Sequence, residues 1–387
     1  MTYTVNDYID MIADVRRTGA YVRALRKMVT PESVVLDLGA GFGYFAVLAA
    51  TLGARRAYAI ETNDAIGLGP ALARANGVAD RVSFFQGDSR QVVLDERANL
   101  LVEDVRGILP LHAERITLLC DARERLLTAD ARAVARRDHL WAAPARHASS
   151  LQRSLETTGA DTYGVDLRGL RSHVVDDARR RRPAPDELLL PGASLGVVDL
   201  LTVTDPRFEG TARWTSPTAA TVDGFVLWFD AELAEGEWFS TRPGPEQTIH
   251  GCLSLPLRAP LQVPAGAELA LRFCGVPVSR EYTWTWECTV SGSSEPSVQT
   301  PRQSSFGGLA LTPARLAAMS ELHQPSLGLE GFRLRAAIAL LEAQRTSGEV
   351  AAAMASQPSL GFGSVPDAFD WLQRVLPGLE SGTAKPL

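Results

Sequence analysis

The chain has 387 residues, of which 45% are hydrophobic and 22% charged, and its net charge is -6. This is globular composition, long enough for two or three domains, and the acidic balance excludes free nucleic acid as a default partner, because backbone binding needs clustered positive charge. Four scattered cysteines lack metal-type spacing and read as free thiols. With no signal peptide and no apolar run of membrane-spanning length, a cytoplasmic protein without membrane contact is expected.

Residues 5–29 carry Ile9, Ile12, Val15, Tyr21, Leu25 and Val29 at near-helical spacing, and Pro31 follows. One helix over 5–29 is predicted. From Val34 short apolar runs alternate with helical stretches. Strands are predicted at 34–38, 57–61, 82–88 and 100–103, with helices at 45–52 and 65–75 between them. That rhythm predicts a parallel sheet with helices on both faces. Residues 148–185 read as helical or irregular and end in the basic run Arg179 to Arg182, expected to be a solvated stretch. From Leu195 the chain reads as β. Residues 225–233 form one candidate strand, and Tyr282-Thr-Trp-Thr-Trp-Glu-Cys288 alternates as a half-buried antiparallel strand does. Ser, Pro and Gly enrich 291–308, and helical patterning returns in 309–387, where Phe369, Leu372, Val375 and Leu376 would share one face.

Asp37-Leu-Gly39-Ala-Gly41-Phe-Gly43 follows the first predicted strand and precedes a helix. Glycine serves where a backbone turns tightly and approaches a ligand, and a helix N-terminus offers free N–H groups to an anion. The second strand ends in Glu61, placed to accept two hydrogen bonds from ribose hydroxyls. The third ends in Gly87-Asp88-Ser89, where a polar side chain can meet an adenine amine. Dinucleotide enzymes prefer Gly-x-Gly-x-x-Gly, whereas Asp-x-Gly-x-Gly-x-Gly is the form typical of class I S-adenosylmethionine (SAM) methyltransferases, which leave S-adenosylhomocysteine as product.

The wider layout resembles the protein arginine N-methyltransferases, especially their bacterial relatives, over about residues 5–290. Asp14-Val-Arg-Arg17-Thr18-Gly-Ala-Tyr21 is similar to the family's Arg-Thr-x-x-Tyr helix. The resemblance implies that Arg17 grips the SAM carboxylate and that Tyr8 belongs to the segment capping the cofactor. Leu100-Leu-Val-Glu103 resembles the start of the family's two-glutamate loop. Residues 140–144 resemble the crossover into its β-barrel, and residues 225–233, 239–241 and 245–251 follow the barrel's order. The implied chemistry is direct SN2 transfer of methyl to a guanidinium nitrogen clamped by two loop carboxylates. The family's second glutamate lies nine residues after the first. That position is His112 here, and Glu114 is the nearest glutamate, with Asp104 as another candidate. The family's Thr-His-Trp reads Thr248-Ile249-His250-Gly251, which displaces the histidine by one position and drops the tryptophan.

The resemblance therefore implies a Rossmann-like SAM-binding parallel sheet and then a mostly antiparallel β-barrel, and the helical patterning beyond it adds a small α-helical C-terminal module. The boundaries read 1–30 for a cofactor-capping helix, 31–147 for the SAM domain and 148–290 for the barrel with a dimerisation-arm-like insert at 148–190. A linker at 291–308 and the module at 309–387 complete the chain. Tyr8, Arg17, Asp37, Gly39, Gly41, Gly43, Glu61, Asp88 and Ser89 are the expected cofactor residues. Glu103, His112, Glu114 and His250 are the expected catalytic residues, and no metal is expected. The implied acceptor is a protein, a peptide or a natural product, and the implied assembly is a homodimer. The altered motifs keep two alternatives open: N- or O-methylation of a non-guanidino small molecule, or SAM or peptide binding without turnover. The C-terminal run from Leu340, followed by Phe362 and a helix over 367–376, is faintly similar to PqqD-type winged-helix domains, which bind leader peptides.

Overall fold

Asp14 divides the expected N-terminal helix in two. Its backbone is extended, and its carboxylate accepts the N–H of Arg17 at 3.1 Å, ending α1 (Val5–Ala13) and capping α2 (Val15–Met28). The computed structural model describes residues 3–376 and 379, apart from 113, 147–148, 160, 246–247, 279–280 and 293–296. The chain forms two units, Met1–Leu309 and Ala310–Thr383.

In the first unit, β1 (Val34–Leu38), α3 (Tyr44–Thr51), β2 (Arg56–Glu61), α4 (Gly69–Ala75), β3 (Val82–Gln86), β4 (Ala98–Glu103), α5 (Arg115–Arg125) and β5 (Leu127–Val134) follow one another. The strands make a parallel sheet in the order β3-β2-β1-β4-β5. The predicted 65–75 helix starts late. A 3-10 turn at Asp64–Leu68 precedes α4, whose first turn carries Gly69-Pro70. Strand order reverses at β1, so the crevice between the carboxyl ends of β1 and β4 is where an open α/β sheet receives a ligand.

The second half of this unit is antiparallel. β6 (Arg137–Ala145) leads to α6 (Ser149–Thr157), the short pair β7 (Asp161–Thr162) and β8 (Val165–Asp166), α7 (Arg171–Val175) and β9 (Arg179–Arg181). Then come β10 (Ala193–Asp199), β11 (Phe208–Thr215), β12 (Ala220–Ala234), β13 (Glu237–Ser240), β14 (Cys252–Val263), β15 (Glu268–Val278) and β16 (Glu281–Ser291). One sheet runs β10-β6-β12-β14-β9 with β13 on β12, and the other runs β11-β15-β16. The arginine run is only in part the solvated stretch expected: Arg180 and Arg182 are exposed, but β9 pairs with residues 252–254 of β14, and Asp177 matches Arg179 and Glu187 matches Arg181, each at 3.0 Å. The expected linker is also partly ordered. β17 (Val298–Gln299) and β18 (Gln303–Ser304) pair with β16. The buried Gln303 amide donates to the carbonyls of Val175 and Pro256, and this pins the segment.

The Rossmann-like sheet and the barrel share a core. Phe229, Ala231 and Leu233 of β12 and Phe239 of β13 are buried in the same cluster as Leu36, Ile60 and Leu101. The second unit consists of α8 (Pro313–Ala318), α9 (Leu329–Glu342), α10 (Ser347–Ala355) and α11 (Val365–Val375) around Met354, Trp371 and Leu372. Its described residues are helical as expected and contain no strand, so the faint winged-helix likeness has no wing there. Phe369 is 38% exposed, and Ala368 and Trp371 face the core with Leu372 instead.

The shared core predicts that Phe229→Ala removes about 3–5 kcal/mol of stability, the usual cost of deleting a buried phenyl ring. Denaturant unfolding should show the parallel sheet and barrel weakening together. A loss confined to barrel probes, with the parallel-sheet signal unchanged, would contradict a common core.

Candidate functional site

At the carboxyl end of β1 the backbone turns through Gly39, Gly41 and Gly43, all with left-handed φ of +73°, +58° and +86°. A side chain is excluded at all three positions, and at Gly43 a Cβ would lie 2.5 Å from the ring of Phe84. A Cβ on Gly39 would run into Val105, and one on Gly41 would lie 2.7 Å from the ring of Tyr8. Tyr8 therefore lies over the loop, carried there by α1. Burial, with Glu61 nearby, pushes its phenol well above the usual range.

Asp37 is buried and accepts the N–H of Ala46 in the first turn of α3 at 2.9 Å. Burial raises its pKa to about 7, the Ala46 N–H opposes the rise and the Glu61 charge adds to it. Glu61, at the end of β2, uses one oxygen to accept the Gly41 N–H at 3.0 Å and the other to accept the Asn63 N–H at 2.8 Å. It locks the glycine loop to β2 and keeps further lone pairs for a ligand. Asp88 caps the turn after β3 and is paired with Arg90, which also reaches Glu114 at 3.2 Å. The Ser89 hydroxyl is buried without a hydrogen-bond partner among the described residues.

The acceptor end is built differently from the expectation. Glu103 is fully buried, and both its oxygens hold the chain's own Arg115, Nε to Oε1 at 2.8 Å and Nη2 to Oε2 at 2.7 Å. Arg115 Nη1 also donates to Asp138 at 2.9 Å and to the Pro110 carbonyl at 2.8 Å. Asp138 receives Arg106 at 2.8 Å, and Arg106 Nη1 reaches Asp104 and the Tyr21 hydroxyl, both at 2.7 Å. Asp104 closes the series against Arg17 through Nε and Nη2. Three carboxylates thus alternate with three guanidinium groups, all nearly or fully buried. Although burial opposes it, Arg17 and Arg106 hold the Asp104 carboxyl well below the usual carboxylate range.

Arg17 is placed by a hydrogen bond from Nη1 to the Met11 carbonyl at 2.9 Å and by the stacked rings of Tyr21 and Phe45 beneath it. His250 lies against Phe239 and Phe229. Its Nδ1 is 3.0 Å from the Gly107 carbonyl, which fixes that nitrogen as the donor. Among the described residues its buried Nε2 has no partner, nor has the Thr248 hydroxyl on the same loop. Burial lowers the His250 pKa to about 4, opposed by the Asp104 charge and aided by Arg17 and Arg106. The displaced histidine is therefore brought beside the loop after β4 despite its shift in the motif. His112 packs on Gly107, and burial lowers its pKa as well. Glu114 is part-exposed and turned toward Arg90.

Sequence reasoning placed Glu103 and Asp104 on the correct loop but missed Arg106, Arg115 and Asp138. The available signal was an arginine on either side of the apolar run 108–111 and a lone aspartate near the start of β6.

Comparison with known proteins follows this geometry. Residues 17–129 match the family described as ribosomal protein L11 methyltransferase, PrmA. The chain is 27% identical over 285 residues to the probable histone-arginine methyltransferase 1.4 of Arabidopsis thaliana, covering 68% of this chain and 53% of that protein. It is 27% identical over 299 residues to the protein arginine N-methyltransferase PRMT10 of Oryza sativa subsp. japonica, covering 68% and 79%. The chain spans about half the length of several curated relatives it matches. The structure of Arabidopsis thaliana protein arginine methyltransferase 10 superposes with a TM-score of 0.69 at 20% identity, over 78% of this chain and 97% of that one. The Trypanosoma brucei PRMT1 enzyme-prozyme complex with AdoHcy gives 0.69 at 19% identity, over 77% and 97%. Fold and glycine loop define a Rossmann-like parallel sheet joined to an antiparallel β unit. The chain is similar to the protein arginine methyltransferases in sequence and in fold.

His250 has a testable linkage. Its folded pKa of about 4 lies below the ordinary 6.5, so the unfolded chain binds more protons between those values and folding weakens as pH falls through them. Asp37 acts oppositely, since its folded pKa lies above 3.8 and its contribution falls as pH rises toward about 7. Comparing wild type with His250→Asn isolates the histidine. The stability difference should grow from pH 4 to pH 6.5 by up to roughly 3 kcal/mol and then level off. A difference that stays flat over that range would exclude a buried neutral imidazole.

Proposed function

We propose that the chain is a SAM-dependent methyltransferase acting on a guanidinium nitrogen of a protein or peptide. The observation that carries the reading is the left-handed glycine loop anchored by Glu61 beneath Tyr8. The residues fit SAM. The loop leaves no room for a Cβ at Gly39 or Gly41, Glu61 is placed for two ribose hydroxyls, and the orphaned Ser89 hydroxyl suits an adenine amine. Arg17 would hold the amino-acid carboxylate. When bound, SAM supplies an electrophilic methyl group on a sulfonium.

The chain's own residues then have separable tasks. Asp104 fixes Arg17 and brings negative charge to the crevice between β1 and β4. The His250 Nε2 lone pair accepts a hydrogen bond from an acceptor N–H, and its Nδ1–H is held by Gly107. The aromatic wall of Tyr21, Phe45, Phe229 and Phe239 excludes water. The relatives named as arginine methyltransferases support the guanidinium as acceptor class. The reading extends to a homodimer built with the 148–190 insert and to residence in the cytoplasm. Consistent with the latter, all four cysteines are free, and no described helix is long and apolar enough to cross a membrane.

Incubation with methyl-labelled SAM and a glycine–arginine peptide should place label on guanidino nitrogen. Glu61→Ala should abolish SAM binding in calorimetry. Asp104→Asn should lower turnover about 100-fold or more, the usual effect of deleting a preorganised electrostatic group, with a smaller loss of SAM affinity. Label on carbon or oxygen, or none with SAM still bound, would overturn the acceptor assignment.

A further inference from the structure

The grip on Glu103 has the form an arginine acceptor would need. A carboxylate recognises a guanidinium side-on through two parallel N–H···O bonds, and Arg115 supplies both at 2.8 and 2.7 Å. The neighbouring carboxylates are taken as well. Asp138 lies between Arg115 and Arg106, and Asp104 between Arg106 and Arg17. Three negative and three positive side chains leave the cluster neutral. A further protonated guanidinium entering without exchange would be an unmatched charge in a dry site, which is heavily unfavourable.

We propose that Arg115 is a resident guanidinium that occupies the acceptor's carboxylate and sets the specificity of the site, so that an arginine acceptor binds Glu103 only by displacing it. This rests on the methyltransferase reading above. Arg115 is suited to an exchangeable role by its position. It is the first residue of α5, at the end of the 104–114 loop, and it also ties that loop through the Pro110 carbonyl. Its release would free Glu103 and loosen the loop together. As an intramolecular ligand it acts at a high effective concentration, so a dilute small guanidinium cannot compete with it, whereas a peptide gaining contacts elsewhere can.

The test uses the full chain saturated with S-adenosylhomocysteine, titrated by calorimetry with a glycine–arginine peptide and separately with millimolar guanidinium chloride. Arg115→Gln should bind the peptide about tenfold or more tightly than wild type, a gain of about 1.4 kcal/mol. Millimolar guanidinium should compete with the peptide in the variant and not in wild type. In turnover, KM for the peptide should fall. A purely structural arginine would give lower kcat and no gain in binding, and that result overturns the proposal. If Arg115→Gln does not fold, Arg115→Lys keeps the charge but loses the two-bond grip on Glu103, and a smaller gain in peptide affinity of the same sign is expected. Peptide binding no tighter than wild type in the folded variant also overturns it. The calorimetric arm does not depend on turnover. Failure of wild type to label arginine would sink the acceptor assignment, whereas failure of the variant to gain affinity sinks only the role of Arg115.

Discussion

The alternation of Glu103, Arg115, Asp138, Arg106, Asp104 and Arg17 is the constraint on which the rest of the site depends. Each ion would be expensive to bury alone, and the desolvation of a pair is offset only where geometry is good and the remaining donors are satisfied. Here both conditions hold. Each of the three arginines makes at least two charge-assisted contacts, and the spare donors of Arg115 and Arg17 go to the carbonyls of Pro110 and Met11. Residues from α2, the end of β4, the following loop, α5 and β6 meet in one cluster. Such a cluster fixes relative positions more than it adds stability, because its Coulombic gain largely offsets its own desolvation.

That positioning explains how a Rossmann-like sheet and a barrel act as one site. The apolar side of the junction is Phe229 and Phe239, buried with the parallel sheet, and Arg106 lies over both rings at 5.8 and 5.9 Å. The polar side is Asp138 on β6, the first barrel strand, holding Arg106 of the loop that follows β4 and Arg115 at the start of α5. His250 is held in the same neighbourhood by the Gly107 carbonyl. The motif shift that moves this histidine along the chain therefore does not remove it from the site, because the loop carrying it packs by its own contacts and is not part of a regular strand.

Much of this was legible in the sequence. The parallel sheet follows from apolar runs separated by helices, and the cofactor loop from glycine spacing that only close backbone approach requires. Asp37, Glu61 and Asp88 lie at strand ends, where period and length alone place them. Other features were not legible. Asp14 reads as one more polar residue in a helical pattern, and its capping role depends on a backbone angle. Arg179 to Arg181 reads as a solvated charge run because pairing to β14 is a long-range contact without a local signature. Glu103 could be located but not its partner, since nothing in the spacing tells whether a carboxylate awaits a ligand or holds a side chain of its own chain. That distinction belongs to tertiary structure.

Asp14 carries a mechanical consequence. One oxygen caps the first turn of α2, and the other accepts the N–H of Ile249, 235 residues away, at 2.9 Å. The helix bearing Arg17 and the loop bearing His250 are thereby yoked through a single carboxylate. Tilting the loop away from the helix breaks the Ile249 bond, so the carboxylate couples the position of the helix to that of the loop.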